Sequence, residues 1–470
     1  MQKRPLGILA VLPVLLIVVL GLFPGTSFSQ QAFFDSDKAL ETELNYPNIS
    51  GFYSDLSNTD SIFFAEFQYG WQAELLVYNP INGKSSLLYP SENNYVLSRN
   101  HCEDCEFKRI LWTYHPSIQT EAGNCQIQMG CPEAANYLLL GTSVCRITAL
   151  IDGFVFFSTG VLVNNTANDG RPLLLTAEHN GLNFFTNSFS SDQELAQWLF
   201  VFNLESPLCR GIAIPTNTTV YEGAQLLSRS FDRGGTTGTD FALLEISDTN
   251  FTAEDHFFAG WTRSTSAPQS GTCIHHPDGA LKRISFYNVA PRLDIYDQQS
   301  SPMHWRVIWA PSTSGHGTTE PGSSGSPLFD QNNRITGILS GGFSSCDQLF
   351  SPDFYGVFYH QWDQNGSDSS MQLAPWLDPL GLDPLQIDEY RLDSSNITEV
   401  PPRFHIFPNP VKVGSQIFVD GVYNKAELFN LNGQKIWDNQ TRLIAPDVQG
   451  IYILIIHRHD FKTTHKLFVY

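Results

Sequence analysis

Short apolar runs punctuated by turns dominate the chain from residue 120 to about 385. Phe154-Val155-Phe156-Phe157, Leu173-Leu174-Leu175, Trp198-Leu199-Phe200-Val201-Phe202 and Phe241-Ala242-Leu243-Leu244 are the clearest of them. Runs of this length between turn residues predict strands of a β-barrel core. Past them, the polar stretch from Asp388 to Pro402 reads as a linker, set at 386–403. From Phe404 to Tyr470 strands alternate compactly, and Asn432-Gly433 supplies a hairpin turn, so a small β unit is expected over 404–470. Residues 30–119 show little repetition and no catalytic constellation, and read as a pro-segment or an accessory N-terminal region. An apolar core from Leu6 to Phe23 follows Lys3 and Arg4 and precedes the small-x-small site Ser27-Phe28-Ser29. That layout predicts a signal peptide over 1–29. No later segment is apolar enough to be a permanent membrane span.

Composition narrows the classes. A chain of 470 residues has length for more than one domain and an ample core. With charged residues at only 16%, aromatics at 13% and Gly and Pro plentiful, many short strands are favoured over long helices. The net charge of −20 argues against nucleic acid, whose phosphates need Lys and Arg to neutralise them. Eight cysteines in an exported chain predict disulfides. Cys102 and Cys105 stand apart, and six others, Cys125, Cys131, Cys145, Cys209, Cys273 and Cys346, fall within 120–385. No second ligand pair follows Cys102-x-x-Cys105 at zinc spacing, so neither a metal nor a cofactor is expected.

The chemistry gathers around Pro321-Gly322-Ser323-Ser324-Gly325-Ser326-Pro327. Glycines on both sides of a serine allow a tight turn that projects the hydroxyl beside inward-pointing amides. Two earlier segments give that turn meaning. Leu174-Leu175-Thr176-Ala177-Glu178-His179 ends an apolar strand on a histidine, and Thr239-Asp240-Phe241-Ala242 opens another on an aspartate. Histidine, aspartate, then serine is the chain order of chymotrypsin-type proteases. His275 and His276 could ligate a metal but lack a third ligand and read as structural. His304 and His316 have no pattern of their own. Ser323 and Ser326 read as hydrogen-bonding loop residues.

Residues 120–385 resemble the lysyl endopeptidases, secreted bacterial members of the chymotrypsin-like superfamily. The likeness rests on the three segments above, on Ser158-Thr159-Gly160-Val161-Leu162-Val163-Asn164-Asn165 to Asp169, on Ile274-His275-His276-Pro277 with Lys282-Arg283-Ile284-Ser285, and on Gly341-Gly342-Phe343-Ser344-Ser345-Cys346. The fold it implies is all-β: two antiparallel six-stranded β-barrels with the site in the cleft between them. By position, Ser324 would be the nucleophile, His179 the general base and Asp240 its partner, with the Gly322 and Ser324 amides as oxyanion hole. Asp353 would receive the substrate's basic side chain at a pocket lined by Ser340, Gly341 and Gly342, and Asp347 is the second candidate.

The sequence also departs from the family. A histidine usually precedes the Gly-Gly pair and stacks on a tryptophan; here Ser340 stands there, and Asn288 to Gln299 contains no tryptophan. One family bridge falls on Ser158 and Asn180, so both halves are absent together. The pairings the resemblance implies are Cys125–Cys346 and Cys131–Cys209, with Cys145–Cys273 as an added third bridge. The tail has its own likeness. Phe407-Pro408-Asn409-Pro410, Ala426 to Gln434, Gly450-Ile451-Tyr452-Ile453-Leu454 and Lys466-Leu467-Phe468-Val469 resemble the C-terminal sorting domain of type IX secretion, a small β-sandwich. These likenesses imply an exported endopeptidase, secreted or at the cell surface after passing the periplasm. Its partners would be protein or peptide substrates and the export machinery. The other reading is an adhesin or binding protein on a protease fold whose chemistry has lapsed.

Overall fold

The computed structural model describes residues 51–55, 61–63, 71–79, 84–88, 96–98, 106–114 and 123–470, the last range without 184–185, 212–217, 393–404, 421–424, 432, 439–442 and 459–460. The signal peptide, Cys102, Cys105 and most of the linker lie outside the described residues.

The all-β expectation holds. The apolar runs form strands of two large sheets whose pairings are almost all antiparallel, one of 11 strands and one of 10. The first is wider than a six-stranded barrel because four strands from the N-terminal region join it: Gly51–Asp55, Trp71–Asn79, Lys84–Leu88 and Glu106–Tyr114. Ser85 pairs with Val220 at one seam, and Gly51 and Phe52 pair with Val155 and Phe154 at another. Residues 404–470 add a four-stranded and a two-stranded sheet around a core of their own, built on Val411, Leu428, Leu454, Ile456 and Leu467.

Register explains how the site is assembled. Leu173–Thr176 pairs antiparallel with Ala242–Ile246, Thr176 opposite Ala242. The end of one strand therefore lies beside the start of the other, and His179 and Asp240 follow and precede them by a few residues. Ser324 comes from the other sheet, in the turn ahead of Pro327–Asp330. A single core of Val161, Leu175, Phe241, Ile274, Phe329 and Ile338 draws on strands of both sheets and holds them together.

Of the charge pairs that cross from the N-terminal strands to the residues after 120, the most buried is that of Glu74 with Arg146. Arg146, 2% exposed, donates from Nη1 and Nη2 to the two carboxylate oxygens of Glu74 at 2.9 and 2.6 Å. It also donates to the Gly279 carbonyl at 3.1 Å and lies over the Phe157 ring. Deleting one partner of a buried ion pair leaves the other charge uncompensated. Glu74→Ala in the full chain is therefore expected to lower unfolding stability by about 3–5 kcal/mol. Urea denaturation checks this, and a loss under about 1 kcal/mol, the range of surface pairs, would contradict it.

Candidate active site

His179 sits in a single 3-10 turn, Glu178–Gly181, directly after its strand. Its Nδ1 is 2.7 Å from Asp240 Oδ2, and its backbone amide donates to Asp240 Oδ1 at 3.0 Å. Asp240 is fully buried, whereas the His179 side chain is 31% exposed, so the imidazole's far edge faces the cleft. Burial alone would depress the imidazole, but the charge and hydrogen bond of Asp240 outweigh it and hold His179 above its ordinary pKa. Gly234 is needed here: a Cβ on it would lie 2.6 Å from that of His179.

The serine loop is fastened to the histidine turn from the opposite sheet. Asn180 Nδ2 donates to the Ser324 carbonyl at 3.1 Å and to Thr176 Oγ1 at 2.8 Å, and the Thr159 amide donates to the same carbonyl at 2.9 Å. Asn180 thus uses hydrogen bonds at a position where the resemblance calls for half of a bridge. Gly322 has φ +87°, and a Cβ on it would meet the Gly279 amide at 2.7 Å. Only glycine fits that approach. The Asp278 amide donates to the Pro321 carbonyl at 2.5 Å, and Thr159 Oγ1 donates to that of Gly322 at 2.9 Å. Among the described residues, neither the Gly322 nor the Ser324 amide finds an acceptor. Two backbone donors are thus left without an acceptor in this loop.

Ser323 is buried beneath this loop. Its Oγ is 2.7 Å from His275 Nδ1 and accepts the Glu320 amide at 3.1 Å, while His275 Nε2 is 3.2 Å from Ser285 Oγ. Burial, with Arg283 nearby, lowers the His275 pKa to about 3, so it is a neutral hydrogen-bonding residue. His276 Nδ1 bonds the Ala280 carbonyl at 2.9 Å. Both histidines are structural, as the sequence suggested.

Asp353 opens the strand Asp353–Val357, opposite Gly342. It is fully buried and accepts four hydrogen bonds: Trp309 Nε1 at 2.6 Å, Thr319 Oγ1 at 2.7 Å, Ser344 Oγ at 2.6 Å and the Ser344 amide at 3.1 Å. These donors tie it to the segment before the Ser324 turn and to the Gly341-Gly342 strand end. Burial raises its pKa against the pull of the donors. Asp347 lies exposed in the turn after Cys346. Ser340 Oγ is 2.9 Å from His304 Nε2, and the His304 ring packs against Tyr296 at a 48° tilt with centroids 5.1 Å apart. A histidine–aromatic pair therefore borders Gly341 after all, drawn from His304 and Tyr296. Sequence reading missed it, because only strand pairing brings His304 to Ser340. Trp309 was missed likewise.

Cys125–Cys346 and Cys131–Cys209 are closed. The third expected bridge is not: Cys145 and Cys273 are buried free thiols. They pack in different cores, Cys145 with Ile147, Leu162 and Leu174, Cys273 with Leu328, Trp309 and Tyr355. Cys273 Sγ hydrogen-bonds Ser326 Oγ at 3.2 Å instead.

Among the described residues one cluster, Glu178, Asp232 and Asp240, is compact enough for a cation. Its oxygens already face Arg229, His179 and backbone amides.

Two joined antiparallel sheets, with a histidine–aspartate pair on one and a glycine-bracketed serine turn on the other, define a fold of the chymotrypsin-like serine-protease class. The chain belongs to the lysyl endopeptidase C-terminal domain family, whose pattern matches residues 119–356. It is 29% identical over 260 residues to a lysyl endopeptidase of Pseudomonas aeruginosa PAO1, and the alignment covers 50% of each protein, so the chain spans about half the length of that relative. Solved structures similar to it include the thermostable serine protease AL20 from an extremophilic microorganism, at 14% identity, 49% of this chain, 98% of that one and TM-score 0.35. Protease Anisep from Arthrobacter nicotinovorans matches at 14% identity, 46% of this chain, 90% of that one and TM-score 0.33.

Proposed function

We propose that this chain is an exported serine endopeptidase that hydrolyses peptide bonds after basic residues, lysine foremost. The observation that carries the reading is the His179–Asp240 pair, 2.7 Å apart, on a turn that Asn180 fastens to the Ser324 loop. In this reading Ser324 Oγ attacks the scissile carbonyl while His179 Nε2 takes its proton, and Asp240 holds Nδ1–H and stabilises the imidazolium. The Gly322 and Ser324 amides receive the oxyanion. His179 then protonates the leaving amine, and water repeats the sequence to release the acyl group. Asp353 supplies the fixed counter-charge that a buried lysine ammonium requires.

Two disulfides support export. Residues 404–470 act as the address read by type IX export machinery, which makes the route periplasmic and the destination the surface or the medium.

The test is digestion of a proteome-derived peptide library with the full chain, reading the residue before each new cut. Lysine enrichment, with arginine second, is expected. Cuts after apolar or acidic residues would refute the specificity. No cuts at all, from a folded protein, would favour the lapsed, adhesive reading.

A further inference from the structure

Asp240 holds an unusual backbone conformation. Its φ is +52°, the left-handed region that non-glycine residues seldom enter. Something must over-determine it, and the turn from Asp232 to Asp240 does. Asp232, 5% exposed, accepts the Asp240 amide on Oδ2 at 2.8 Å and the Gly235 amide on Oδ1 at 2.8 Å. Cβ atoms on Gly235 and Gly238 would lie 2.9 Å from the Asp240 Cβ and 2.4 Å from Asp232 Oδ2. Gln299, from the other sheet, donates to the carbonyls of Gly235 and Gly238 and bonds His304, which ties this turn to the pocket wall.

Behind Asp232 stands Glu178, the residue before the histidine and itself fully buried. It accepts Arg229 Nη1 at 2.5 Å, Ser230 Oγ at 3.2 Å and the amides of Asp232 and Gly234 at 3.0 and 3.1 Å, and its own amide donates to the Asp240 carbonyl at 3.3 Å. One oxygen from each of Glu178, Asp232 and Asp240 lies within 4.8 Å of the others. The charged groups facing this space are those three carboxyls, Arg229 on Glu178 and His179 on Asp240. Three carboxylates so close in a buried space cannot all be ionised beside one guanidinium. Glu178 is matched by Arg229 and Asp240 by the imidazole, which leaves the proton to Asp232.

We propose that Asp232 is a positioning residue for the catalytic triad: its carboxyl, hydrogen-bonded to Glu178 through a retained proton, locks Asp240 in the backbone conformation that aims Oδ2 at His179. Burial, the Glu178 hydrogen bond and the Asp240 charge agree with this, raising Asp232 to about 7. The role rests on the proposed function, since Asp240 matters only if His179 is the base.

Asp232→Asn and Asp232→Ala in the full chain separate this role from simple support. The amide of Asp232→Asn can accept the Asp240 amide and donate to Glu178 with no proton to lose, giving up only the Gly235 amide that Oδ1 accepts. Asp232→Ala strands a buried N–H and is expected to lower kcat on a lysyl peptide by roughly tenfold or more, with little change in KM. D232N restores most of what D232A loses. The Asp232 carboxylate raises the His179 pKa once ionised. With Asp232 protonated that charge is absent, so the imidazole's NMR titration midpoint stays in place in D232N, and the acid limb of kcat/KM stays with it. A D232N as impaired as D232A, a D232A with undiminished kcat, or a His179 midpoint that falls in D232N would each overturn the proposal. Should the wild type cleave nothing, the protease reading fails, and the NMR midpoint alone still decides for or against Asp232.

Discussion

Ser324→Ala is expected to abolish peptide-bond hydrolysis while the far-UV spectrum and thermal midpoint stay at wild-type values. The side chain is only half-buried and its loop is held by backbone contacts: the Ser324 carbonyl by Asn180 and Thr159, the Gly325 amide by Leu339. Removing the hydroxyl costs the fold little and the chemistry its nucleophile. In an independent triad, the loss for serine or histidine alone is on the order of 10⁶ in kcat, and combined losses do not add. His179→Ala should therefore be comparably inactive, and the double variant no worse than either. Steady-state assays of all three test this. An additive loss, or full activity in the serine variant, would remove Ser324 and His179 from a shared mechanism. The active form should also need a neutral imidazole. Because Asp240 holds His179 above its ordinary pKa, activity should rise with pH through a midpoint higher than that of a free histidine.

Asp353→Asn should cost most of the discrimination for lysine. In the proposed function this carboxylate is the counter-charge for the substrate, and its four donors from Trp309, Thr319 and Ser344 prevent it from swinging away. A substrate ammonium brought to an amide is desolvated without a counter-charge, at a cost of about 3–5 kcal/mol. In kcat/KM for a lysyl peptide that is more than about a hundredfold. A norleucyl peptide, which carries no charge, should lose little. The wild type should reproduce part of this by titration. Burial raises the folded pKa of Asp353, so the counter-charge is present above that raised value and lost as pH falls through it. Lysine-over-norleucine preference should decline in the same direction. Equal losses on both peptides would assign Asp353 to structure alone.

The segments that carry the site were legible because each is local. A strand ending at His179, a strand beginning at Asp240 and a glycine-bracketed serine are visible within a few residues. What joins them is not local. Asn180 fastening the Ser324 loop, Trp309 on Asp353, and His304 packed against Tyr296 beside Ser340 all depend on which strands pair and in what register. The cysteines show the same limit. Family position found Cys125–Cys346 and Cys131–Cys209, but the third pairing, of the extra cysteines Cys145 and Cys273, fails because its members are buried in two different cores. Residues 51–114 looked featureless because no motif announces a strand that extends another segment's sheet. Their Glu74 is nevertheless bonded to Arg146, which also bonds the carbonyl of Gly279, a neighbour of Gly322.

The most direct measurement is a fluorophosphonate reaction with the full chain, followed by peptide mapping of the adduct. The probe reports an activated serine without any assumption about substrate. The account predicts one adduct, on Ser324, absent from Ser324→Ala and strongly slowed in His179→Ala. No adduct on the folded protein, or one on Ser323, would contradict it.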